Sequence, residues 1–149
     1  MTLQTAAGFD SSNQAKTTIT TNSTAHDFRY SLREENVNNF VGMHVVIDGA
    51  TRLSYDTGVI ISGKVLNSNL VVEGTLIVRE GAEVSGTIQC DRLIALGAIN
   101  CKRVVVKELA ICWSGKLETT EGLYVNNIQT SDKFQLVGGV FDYSELTLH

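Results

Sequence analysis

Short clusters of branched apolar residues recur along most of this 149-residue chain at a spacing that few folds can use. Val59 to Ile61, Leu70 to Val72, Leu76 to Val78, Leu93 to Ala95, Val104 to Val106 and Leu123 to Val125 are the clearest. From Ile60 to Thr147 the cluster centres give 15 intervals over 87 residues, a mean of 5.8. Hairpin arrays place turn signals about every 8–12 residues, and an amphipathic helix repeats its apolar face about every 3.6. Neither produces this spacing.

Glycines such as Gly63, Gly74, Gly81, Gly86, Gly97 and Gly115 fall between the clusters, where a chain of short strands has to turn. The segment SGKVLNSNLVV from Ser62 aligns with SGTIQCDRLIA from Ser85, and with SGKLETTEGLYV from Ser114 after one extra residue. Such internal repetition is the mark of a stacked architecture. Three short strands per circuit give a coil of about 17 residues whose sides stack in parallel at roughly 4.8 Å. The expected fold is all-β: a single-stranded parallel β-helix of about six three-sided coils, spanning residues 45–149. The absence of proline fits, because a proline would delete a donor from a ladder bonded on both sides. Within CKRVVVKELAICW, residues 101–113, the three consecutive valines favour two strands joined at Lys107–Glu108 over a helix.

Residues 1–25 are dominated by Thr, Ser, Asn, Gln and Ala and read as a disordered polar leader, with too little apolar surface to offset ordering. Residues 26–44 read as a linker or N-terminal cap, with a short helix suggested by Ser31 and Glu34 in capping-box spacing.

The formal charge of −4 supplies no basic field, so nucleic acid is not expected as a partner. No apolar run approaches the roughly 18 residues that span a bilayer, and the cytoplasm is the default location. Cys90, Cys101 and Cys112 form no CxxC pair, and strand alternation points Cys90 and Cys101 inward, so buried thiols are expected rather than disulfides or a metal site. His26, His44 and His149 lie before, at the threshold of and after the coils, where they assemble neither a catalytic base nor a zinc site. No cofactor and no enzymatic activity are expected.

The segments GVIISGKV at 58–65, LVVEGTLIVREGAEVSGTI at 70–88 and GGVFDYSE at 138–145 resemble the bactofilin family of bacterial cytoskeletal proteins. The resemblance implies a right-handed β-helix that polymerises end to end without nucleotide and serves as a scaffold for cell-envelope or cell-shape proteins. It places Phe141 in the end-to-end contact, with Val140, Phe134 and Leu136 beside it; the alternative is that Phe141 plugs the core. It also implies attachment to the cytoplasmic face of the inner membrane through the leader. Leu3 and Phe9 are the apolar contacts available there, although the leader has no Lys/Arg bias and a plain spacer is the alternative.

Elementary energetics favour self-association. Burying a branched side chain contributes roughly 1.5–3 kcal/mol, while fixing each backbone residue costs about 1–2 kcal/mol. With about six inward residues per coil of about 17, one coil cannot sustain itself, so stability comes from stacking and each uncapped end exposes an unpaired ladder. At the N-terminal end Val45, Val46 and Ile47 either form such an interface or lie under a cap made by residues 28–40. The competing classes are an acyltransferase-like enzyme on a left-handed β-helix, with its unit of six residues, and a β-helical binding module that does not polymerise.

Overall fold

The computed structural model describes residues 18–22 and 29–148. Its strands are β1 (Thr18–Asn22), β2 (Val37–Val41), β3 (Val46–Asp48), β4 (Leu53–Tyr55), β5 (Gly58–Ile61) and β6 (Lys64–Val78). They continue as β7 (Glu83–Ala95), β8 (Ala98–Cys112), β9 (Gly115–Thr119), β10 (Leu123–Ser131), β11 (Phe134–Val137) and β12 (Val140–Asp142). All recorded pairings are parallel, which makes the molecule a β-solenoid.

Each long strand bends around corners and serves more than one face. On the first face β2, β5 and the C-terminal parts of β6, β7, β8 and β10 stack in that order. The second face runs from β3 through the N-terminal parts of β6, β7 and β8 to β9 and β11. The third runs from β4 through β6, β7 and β8 to β10 and β12. Leaving β1 aside, six rungs on each face match the expected number of coils. Ile60, Ile77, Ile94 and Ile111 are successive register partners 17 residues apart, which is the period read from the clusters.

The core is the triangular interior between the faces. Val65, Val84, Ile99 and Leu117 form its column from the second face, and Leu70, Ile88, Val104 and Leu123 its column from the third. Stacking equivalent branched side chains at one rung spacing is what lets so narrow an interior exclude water. Gly86 shows why the corners demand glycine: its φ is +113°, and a β-carbon there would collide with the Ser68 carbonyl of the coil below.

Four details differ from the sequence expectation. The first rung begins at Val37 rather than near Val45, because Val37, Phe40 and Val41 pair with β5, Val41 facing the core and Phe40 facing outward. The helix suggested for residues 26–44 is a single turn in which the Glu34 amide donates to Ser31 Oγ at 3.2 Å; β2 follows it directly. Leu146 to Leu148, read as a branched cluster, lies in a 3-10 helix over Tyr143–Leu148. Within the leader, residues 18–22 form β1 instead of remaining disordered, since the β-branched run Thr-Ile-Thr-Thr finds an unpaired ladder at β10; the rest of residues 1–25 lies outside the described residues. The 101–113 segment is strand throughout residues 101–112, with Lys107 and Glu108 exposed at the bend between two faces, as expected.

Residues 29–36 do not close the N-terminal end. They lie along the outside of the first face, where Tyr30 and Leu32 pack against a buried cluster of Val37, Ile60, Ile77, Ile94, Leu109 and Ile111. This strap is fastened by Glu35, whose carboxylate accepts from Arg92 Nε at 3.0 Å, Arg92 Nη2 at 3.2 Å and Thr75 Oγ1 at 2.8 Å.

Candidate self-association surfaces

A parallel solenoid has ladder edges at its two ends, and the exposed large apolar side chains gather there. At the N-terminal end β2, β3 and β4 carry no preceding rung among the described residues. Val46 is 59% and Val45 44% exposed, while Ile47 turns inward and packs on the core. Two neighbours that the cluster reading missed are more open still: Phe40 at 65% and Met43 at 71%. Phe40 stands outward beside inward Val41 in VNNFV, a run without clear alternation, and Met43 sits in a turn and left no periodic signal. Tyr55, half-buried at this end, has its phenol pushed up from the ordinary value by desolvation.

At the C-terminal end Leu136 and Val140 extend the inward columns beyond Leu117 and Leu123, and Phe134 packs on the same core. Phe141 does not plug that core. It is the outward neighbour of Val140 and pairs with Tyr124 of β10, their rings stacked with centroids 5.1 Å apart and planes at 27°. The ring lies over Gly122 and Gly139, where a β-carbon would strike it, so these two glycines leave the space the aromatic needs, while a β-carbon at Gly138 would strike Thr119 instead. Its outer part remains exposed, as does Val137. The structure thus gathers Phe134, Leu136, Val140 and Phe141 at one end and Val45, Val46 and Ile47 at the other. Leu3 and Phe9 lie outside the described residues.

The three cysteines are buried and free, one per face: Cys90 on the third, Cys101 on the second and Cys112 on the first. Desolvation pushes Cys101 and Cys112 up to about 12, and Cys90 is raised for the same reason with Asp91 adding to it. Thiols so held are core groups, not nucleophiles. His44 is exposed, and His26 and His149 lie outside the described residues. Among the described residues no group of His, Cys, Asp and Glu could hold a metal ion, and no helix is long and apolar enough to cross a membrane.

The family model of the bactofilins, described as polymer-forming cytoskeletal, matches residues 39–140. No curated protein and no solved structure matches the chain. The matched segment opens within β2 and closes at the first residue of β12, so it takes in nearly all of the solenoid while the strap and β1 fall outside it. With more than two thirds of its length matched, the chain belongs to the bactofilin family of polymer-forming cytoskeletal proteins.

Proposed function

We propose that the chain assembles end to end into filaments without nucleotide, and that these act as a scaffold for cell-envelope or cell-shape proteins on the cytoplasmic side of the membrane. The observation that carries this reading is the exposure of Phe40, Met43 and Val46 beside ladder edges that are unpaired among the described residues at the N-terminal end. A second copy seated there would extend the parallel ladders and cover this apolar surface, the two terms on which each internal coil already depends. No bound group is needed for that contact, and in this reading the work of the chain is geometric rather than catalytic. Many leaders displayed on one filament would let weak apolar contacts such as Leu3 and Phe9 hold a membrane together.

Negative-stain microscopy and sedimentation of the purified full chain, with no nucleotide added, test the reading. Filaments whose mass grows with protein concentration are expected. A monodisperse rod at every concentration and salt would leave a non-polymerising binding module as the correct class.

A further inference from the structure

The two ends of the solenoid differ in one respect. Strand β1 pairs in parallel with the C-terminal half of β10, in register from Thr18 with Asn127 to Asn22 with Ser131. It adds a seventh rung to the first face alone; among the described residues the second face ends at β11 and the third at β12. A segment from the beginning of the chain therefore occupies an edge at the far end of the rod.

Chain length permits this within one molecule. Seven residue steps separate Asn22 from Arg29 and reach up to about 24 Å. The strap that follows is anchored by Glu35 to Arg92 on β7, and β7 lies three rungs from β1, about 14 Å along the axis.

We propose that β1 is a removable edge guard, displaced by a second copy of this chain. The ladder edge of residues 127–131 takes either β1 of its own chain or a strand from the end coil of a neighbour. The inference rests on the end-to-end reading above and adds its regulation. An edge that accepts a five-residue parallel strand offers the same alternating N–H and C=O groups to any other, and it cannot pair with two at once. The competitor has the advantage of extent, since β1 covers one face of the last coil and an incoming end coil meets three. The competing strand is an addition to the polymer-forming part: β1 and its neighbouring anchor Glu35 both precede residue 39, where the family match begins.

The test uses the full-length chain and the double substitution Ile19→Pro with Thr20→Pro. Adjacent residues of a strand address opposite edges, so one of the two prolines removes a donor to β10 whichever way β1 faces. Prolines at Gln4 and Ala6 serve as the control, and the single substitutions replace the pair if circular dichroism shows the pair unfolded. Two quantities are read: the critical concentration for sedimentation, and amide exchange at residues 127–131 in dilute, unassembled protein. If the edge is open about a tenth of the time, freeing it lowers the critical concentration about tenfold, and exchange at 127–131 quickens while the control matches the original chain. An unchanged threshold overturns the guard. So does loss of assembly by a folded variant, because β1 would then be part of the contact, exchanged between copies. Failure of the original chain itself to assemble overturns the end-to-end reading, and the competition with it.

Discussion

Replacing Arg92 by Leu should loosen the strap by about 2–3 kcal/mol. The side chain of Glu35 is only 9% exposed, and its carboxylate has three recorded donors, two of them from the Arg92 guanidinium at 3.0 and 3.2 Å. Without Arg92 the carboxylate keeps only the Thr75 hydroxyl. Breaking a buried ion pair by removing one partner costs about 3–5 kcal/mol, because a charge is left behind without its counterion. Arg92 is 28% exposed, so water enters more readily than in a sealed core and the lower figure follows. Glu35→Gln leaves no orphaned anion and should cost about 1 kcal/mol.

The double variant Glu35→Leu with Arg92→Leu distinguishes a latch from a decoration. Removing both charges takes away the orphan, so the double loss should fall short of the sum of the single losses by more than about 1 kcal/mol. Native-state hydrogen exchange at the amides of Glu35 and Val37 reads the strap directly. In the folded chain they donate to the carbonyls of Ser31 and Leu32 at 3.0 and 2.8 Å. If Arg92→Leu stays within about 0.5 kcal/mol of the original chain, the pair behaves like an ordinary surface salt bridge and the strap is held by something else.

Phe141→Arg should leave a folded rod, because the ring is outward and its loss removes a stacking contact with Tyr124 of only about 0.5–1.5 kcal/mol, and should raise the assembly threshold by placing a charge on the apolar end; unchanged filaments by microscopy would remove it from the contact. Phe40→Asp should change urea stability by no more than about 0.5 kcal/mol at its exposed position while weakening sedimentation; marked unfolding would show it to be core. Leu93→Ala, at a site with no solvent exposure, should cost about 2–5 kcal/mol, and Gly86→Ala should also destabilise through a strained φ and a clash with Ser68, both read by thermal melting. The thiols should resist a disulfide reagent at pH 8 until the chain unfolds. Cys101 and Cys112 ionise near 12 when folded and near 9 when unfolded, so above pH 9 the unfolded state binds fewer protons. Stability should therefore fall as pH rises from about 9 toward 12, and alanine at both positions should flatten that slope.

The repeat was legible because each coil solves the same packing problem, so equivalent positions carry equivalent branched residues at a period of 17. Its first turn was harder to see. Only Val37 and Val41 of β2 are buried, Val41 in the core and Val37 outside it under the strap, so that rung lacks the solid apolar triplet of later coils. Residues 143–148 show the converse: Leu146 and Leu148 have the look of a strand, yet the last ladder has ended at Asp142 and the chain turns into a 3-10 helix. The identity of Phe141 as an end residue was readable from GGVF, but its outward direction was not. Direction depends on register with Leu123 and Tyr124, fixed by pairings some 17 residues distant.

The composition of the triplets also records which side of the rod is covered. A strand with one dry face alternates, whereas a strand buried on both faces reads as a continuous apolar run. On the first face the triplets are VII, LIV, LIA and AIC at residues 59–61, 76–78, 93–95 and 110–112, and their central isoleucines point away from the core yet are 0–6% exposed. On the third face the central positions are Val71, Gln89, Val105, Tyr124 and Phe141, a mixture that water can wet. The outer isoleucine column passes at its C-terminal end to Gln129 and at its N-terminal end to Phe40. Burial fades from Ile60 at 6% to Phe40 at 65%, which marks where the cover stops. The strap thus belongs to the hydrophobic economy of the first face and, among the described residues, leaves the apolar N-terminal coil uncovered, so one sequence period specifies both a sealed side and an open end.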